Sequence, residues 1–278
     1  MKEVHGLRDY HVRMTRKPSI TTVQPVMHWL TDWWRLLHLG AVILVLALSP
    51  SSYRRDNRPY MVWHIYRNTA PILLGFSVLC ALVTVVLTRI VLTTALSYGL
   101  SQYALQVLIR VLVLELIPLT AALFVALRCT IPDGAEIAAL HGSRQWAQMR
   151  ANGQEPIRRE VLPRVVAGLM AGLTLAALSS VVALVVAYGV GYGFTVSGFP
   201  AYTRLFGQVF SPAVSLILVL KTVLFSLAVS LIPMASALYG LRGLYSASVR
   251  TSADMHALVR MFSVLLLIEV ASLVGNYY

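Results

Sequence analysis

Five long apolar runs separated by polar breaks set the pattern of this chain, and a sixth, amphipathic segment precedes them. The long runs cover roughly residues 68–92, 104–131, 164–192, 211–239 and 256–276. Each reaches the roughly 20 apolar residues that a bilayer requires, some with room for tilt. The earlier segment behaves differently. Within residues 25–52, Val26, Trp29, Leu30, Trp33, Leu36 and Leu37 share one helical face, while His28, Asp32 and Arg35 take the other. Its tail, LGAVILVLALS, is apolar all round but short for a span. Clustered Trp and Arg there point to a helix lying in the membrane interface. A signal peptide cleaved near Ala47–Ser49 is the weaker reading, because its apolar core would start unusually deep in the chain. The pattern predicts an all-α polytopic membrane protein. It has an N-terminal basic arm (1–24), an interfacial amphipathic helix (25–52) and a five-span domain (53–278).

Charge placement orients these spans. Arg54, Arg55, Arg58 and Arg67 precede the first; Arg144, Arg150, Arg158, Arg159 and Arg164 lie between the second and third; Arg242, Arg250 and Arg260 lie between the fourth and fifth. The loop 93–103 carries no charge, and 193–210, a Gly- and aromatic-rich turn, carries only Arg204. Positive residues mark the cytoplasmic side, so the N-terminus is expected inside and Asn276-Tyr277-Tyr278 outside. The segment between the second and third spans, AEIAALHGSRQWAQMRANGQEPIRRE, then becomes a cytoplasmic helix placed to touch a soluble partner.

Composition agrees with this pattern. The 278 residues are 58% hydrophobic and 12% charged, too apolar for an ordinary soluble domain. A net charge of +12 could indicate nucleic acid, but the basic residues sit at the ends of apolar runs and not in one patch, so no nucleic-acid partner is expected. Cys80 and Cys129 fall inside apolar segments as small hydrophobes.

Three ionisable residues stand within the spans: Glu115, Lys221 and Glu269. Each is expensive in hydrocarbon and should face protein or a water-filled cavity with a partner, so a Glu–Lys contact is expected. Such a cluster can serve transport or merely fix helix packing. Arg89 and Arg110, nearer the outer ends, can snorkel to headgroups. In the third span Gly168, Gly172, Ala176 and Ser180 recur at four-residue spacing, which lets another helix approach closely, within the subunit or from a second one. Packing within the subunit is the favoured reading. Pro118, Pro212 and Pro233 fall in or at the start of spans. No GxxxxGK[ST] loop, HExxH pair or GxSxG elbow occurs, so no catalytic residue, metal site or cofactor is expected in this chain. The histidines read as surface or interface residues.

Residues 55 to 278 resemble the MlaE (YrbE-type) permeases of lipid-transporting ABC systems. The resemblance is best in ELIPLTAALFVALR…AEIAAL…QEPIRREVLPRVVAGL, which looks like the family's ELGPVLAALLVAGR…AEIG…DPIRYLVLPRVLAG. Glu115, Pro118, Arg128, Glu136, Pro156, Arg158, Pro163 and Arg164 fall on matching positions. LKTVLF at 220–225 places Lys221 on the family's intramembrane lysine, and Glu269 falls where many members have Asp.

The resemblance implies a permease dimer, built with a second copy or a paralogue, in a bacterial inner membrane. A cytoplasmic ABC ATPase would bind the ATP, a periplasmic MCE-domain protein would sit on top, and phospholipid would be the cargo. Glu115, Lys221, Glu269 and Arg110 would line or brace the lipid cavity. Arg144, Gln145, Trp146, Met149, Glu155 and Arg158 would form the coupling helix that meets the ATPase. Departures are concentrated there and beside Glu115. Ile117 and Leu127 replace family glycines, and the coupling segment, TEQIDALE in the family, reads SRQWAQMR, with Arg144 in place of an acid. A structural or regulatory member of a heteromeric complex is the alternative reading. An ATP-independent secondary transporter would show inverted repeats, and none is visible.

Overall fold

The computed structural model describes residues 23–49, 58–99, 101–239 and 247–277, which hold ten α-helices and no strand. The basic arm before residue 23 and the linker 50–57 lie outside these residues. So do the side chains of Val26, His28, Trp29, Leu30, Asp32 and Arg250 and the whole of Arg242.

Helix α1 (Val23–Leu48) buries Leu36, Leu39 and Ile43, one face at i, i+3 and i+7, against the rest of the chain. Leu37, on the apolar face read from the sequence, is 64% exposed at the protein surface, and Trp34 74%. The stripe buried against the chain therefore shares Leu36 with the apolar face read from the sequence and departs from it at Leu37.

Among the described residues, five helical stretches are long and apolar enough to cross a membrane: Pro59–Ser97, Tyr103–His141, Ile157–Tyr192, Pro212–Tyr239 and Met255–Asn276. The first three run well past the apolar runs. A 39-residue helix is about 58 Å long at 1.5 Å per residue, roughly twice the hydrocarbon thickness. Hydropathy registers only the part inside the membrane, whereas the helix continues through Tyr60, His64 and Arg67 at one end.

The first stretch is α2 (Arg58–Ser97). The second is a composite of α3 (Ser101–Ile109), α4 (Ile117–Val125) and α5 (Ile131–His141), joined by π-helical turns at Arg110–Leu116 and Ala126–Thr130. Helix α6 (Arg144–Ala151) follows, and a third π turn, Ile157–Val161, opens α7 (Leu162–Tyr192). Each π turn directly precedes a proline. Ile117, Ile131 and Leu162 donate their N–H groups five residues back, to Leu112, Ala126 and Ile157, and Pro118, Pro132 and Pro163 come next. A proline ring crowds the carbonyl four residues earlier and cannot donate to it; a wider turn makes the room.

The Gly- and aromatic-rich turn contains structure that its composition hid. Helix α8 (Phe199–Val209) buries Tyr202, Leu205 and Val209 and exposes Thr203, Arg204 and Gln208. The remaining spans are α9 (Pro212–Tyr239) and α10 (Ala247–Tyr277). Helices α7 and α9 are the central pair: α7 packs along α2 and α9, and α9 also meets α10, α5, α4 and α1.

The row of small residues explains that pairing. A Cβ added to Gly168 would lie 2.5 Å from Ser230 Oγ and 2.8 Å from Thr130 Cγ2, and one added to Gly172 only 2.3 Å from Ser226 Oγ. The two glycines thus seat α9 serines within the subunit, as the packing reading held.

Candidate functional site

The structure draws Glu115, Lys221 and Glu269 together from the second, fourth and fifth spans. Lys221 sits about a third of the way along α9, with its side chain only 1% exposed. An ammonium has three N–H groups, and three oxygens surround this one. Nζ donates to Glu115 Oε2 and, at 3.0 Å, to the Leu114 carbonyl, and Glu269 Oε2 lies at 2.8 Å as an ion-pair partner. The Phe225 ring lies beneath the charge, its centroid 5.6 Å away. Asn276, seven residues and two turns beyond Glu269, places Nδ2 3.5 Å from Glu115 Oε1. Arg110 opens the π turn that carries Glu115 and is half-buried.

The backbone contact has a local cause. In an α-helix the Leu114 carbonyl would accept from residue 118, but Pro118 has no N–H. Lys221 supplies the missing donor. The same substitution of side chain for backbone recurs lower in the bundle. Pro233 leaves the Val229 carbonyl without its usual partner, and Thr130 Oγ1 donates to it at 2.7 Å. The composite second span and α9 are thus pinned twice at proline-orphaned carbonyls.

A second polar cluster ties three elements at the arginine-rich end. Arg164 Nη1 binds Glu160 Oε2 at 2.8 Å, and Tyr60 OH donates to the same oxygen at 3.0 Å. Glu136 bridges Arg164 at 3.5 Å and Arg67 at 3.7 Å. Nearby, Asn68 Nδ2 donates to Asp133 Oδ2 at 2.9 Å, and the Cys129 thiol donates to the Asn68 carbonyl at 3.3 Å. His64 is buried between Tyr60 and Trp63, which corrects its expected surface position. Through Glu136 and Arg164, the helix leading to α6 is joined to the first and third spans.

The coupling candidates divide. Arg144, Gln145 and Glu155 are exposed, and Met149 and Arg158 are half-buried. Trp146 does not join an outward face. It is buried, edge-on to His141 at 4.9 Å, and anchors α6 to α5. Helix α6 is also separate from the helix bearing Glu136, because the chain breaks at Gly142 and at Ser143 in extended conformation. Among the family-pattern residues, Pro118, Pro156, Pro163 and Arg164 are buried, whereas Arg128 and Glu136 are exposed.

Sequence reasoning missed Asn276, the Asn68–Asp133 pair and the Tyr60–Glu160 bond. Asn276 was signalled by its spacing from Glu269. The other pairs join residues 65 and 100 positions apart, and no local pattern encodes that.

Five membrane-length helices among the described residues, a buried ion cluster between three of them and a short polar helix at one end define a multi-pass membrane protein. The chain belongs to the MlaE permease family: the family model, Permease MlaE, matches residues 61–274, most of its length. A search of curated proteins found no match.

Proposed function

We propose that this chain is the transmembrane permease subunit of an ABC-type phospholipid transporter, driven by a separate cytoplasmic ATPase. The family match over residues 61–274 carries the reading. The geometry supports it at two places. The Lys221 cluster puts charged and amide groups among apolar helices, where a headgroup passing through the membrane would need them. Trp146 packs α6 against α5, and Glu136 on α5 pairs with Arg67 and Arg164 of the first and third spans, so movement imposed on α6 has a path to the helices.

On this reading the N-terminus is cytoplasmic, the C-terminus periplasmic, and the membrane is the bacterial inner membrane. A second permease chain completes the lipid cavity, and a periplasmic MCE-domain protein receives or delivers lipid. ATP is bound and hydrolysed on the partner.

The test is co-purification of the full chain in mild detergent, with bound proteins and lipids identified by mass spectrometry. An ATPase and an MCE-domain protein arriving with phospholipid are expected. If neither protein arrives, the assignment fails. Substituting Lys221 or Glu269 separates the transporter from a structural subunit: lipid movement lost with the assembly intact supports the former, and lipid movement unchanged supports the latter.

A further inference from the structure

The outward face of α6 carries one sign of charge. Arg144 and Arg150 are exposed, Gln145 and Gln148 stand between them, and no acid occurs from Ser143 to Gln154. The apolar side of the helix is already used. Trp146 is buried against His141, and Met149 is half-buried. A helix that inserts in a leaflet shows large apolar residues on its free face; this one shows arginine, glutamine and alanine. Its exposed chemistry therefore suits a protein groove better than a lipid surface.

We infer that α6 docks in an acidic groove of the partner ATPase, with Arg144 and Arg150 as its cationic contacts. The inference rests on the ATPase-driven reading and adds the charge of the partner's surface. Arg144 opens the helix and Arg150 lies six residues on, so the two guanidiniums are separated by about 9 Å of helix rise. Two carboxylate clusters, or one elongated one, would face them. Charge matching of this kind sets association rate and partner choice more than affinity, and it weakens as salt shortens the reach of each charge. An ATPase with a basic groove would be excluded by like-charge contact.

The experiment measures association of the full-length permease in nanodiscs with the ATPase that co-purifies with it. Wild type is compared with R144E/R150E and with the milder R144Q/R150Q. Ionic strength is set at about 0.1 M and about 1 M, where the Debye length falls from about 10 Å to about 3 Å. At low salt the Glu variant should bind at least roughly tenfold more weakly than wild type and the Gln variant should fall between them. At high salt the three should converge. Size-exclusion profiles identical to wild type show that the variants are folded, and lysine substitutions of groove acids should restore binding of R144E/R150E. If both variants bind as wild type does at low salt, the acidic groove is overturned while the transporter reading stands. If no ATPase co-purifies with wild type, the transporter reading itself is overturned.

Discussion

Replacing Gly172 with alanine tests how the central pair is held together. The new methyl would lie 2.3 Å from Ser226 Oγ, 3.0 Å from Ser226 Cβ and 3.7 Å from Ser226 Cα. Rotating the hydroxyl relieves the first contact but not the second, because Cβ is fixed by the backbone of α9. Carbon atoms settle at roughly 3.5–4.0 Å, so α7 and α9 must part by about 0.5–1 Å at this level. A gap of that size forfeits roughly a quarter to a half of each dispersion contact it opens, and overpacking of this kind costs about 1–3 kcal/mol. Unfolding in mixed detergent micelles, followed by circular dichroism, measures the loss. The double variant G172A/S226G removes both close contacts and leaves only Cα at ordinary distance, so it should recover most of the stability. G172A within about 0.5 kcal/mol of wild type, a size usual for surface changes, would refute the argument. So would a double variant no better than the single. A changed oligomeric state with undiminished subunit stability would instead move the glycine row to a seam between subunits.

Thr130→Val keeps the shape of the side chain but leaves the Val229 carbonyl without its donor; a buried unpaired acceptor costs about 1–3 kcal/mol, readable in the same unfolding assay. Burial and the neighbouring Tyr192 raise the Tyr202 phenol to about 12. Below about 10 the phenol is neutral in folded and unfolded states alike; above that the unfolded form ionises first, so the stability of the α8 docking falls as pH rises from about 10 towards 12. Hydrogen exchange over residues 199–209 should show that decline in wild type and a flatter one in Tyr202→Phe. Lys221→Met leaves two carboxylates without their cation and should cost about 3–5 kcal/mol, whereas K221M/E115Q/E269Q should regain part of it.

The number of spans, the separate N-terminal helix and the charged trio were legible in the sequence, because each shows in one dimension. Hydropathy counts spans, and an ionisable residue inside an apolar run stands out wherever its partner lies. Which face of each helix turns inward was less legible. Spans that are apolar on all sides give no periodic contrast, and in the short polar α6 the one large apolar residue, Trp146, read as a partner contact, is buried against α5 instead. α8 went unseen for a different reason: Gly193, Gly198 and Pro200 mark a turn, yet Pro at the start of a helix is permitted and the apolar period of Tyr202, Leu205 and Val209 then takes over. The Gly168–Gly172 row fixed a close approach, but the helix that fills it had to be found in three dimensions.

Proline explains why the Lys221 cluster should not behave as a set of charges alone. Every proline inside a helix leaves a carbonyl four residues earlier without its N–H, and in a bilayer no water is at hand to replace it. Thr130 serves the carbonyl that Pro233 strands, and Lys221 serves the one that Pro118 strands while also holding two carboxylates. Neutralising all three side chains removes the charge imbalance, and glutamine amides can then bond one another. A methionine at 221 still cannot donate to Leu114. The triple variant should therefore retain a deficit of about 1–3 kcal/mol, the cost of one buried acceptor left unpaired. Complete recovery would mean that the wide turn at Arg110–Leu116 has found the carbonyl another donor, and that lysine is held there by its charge alone.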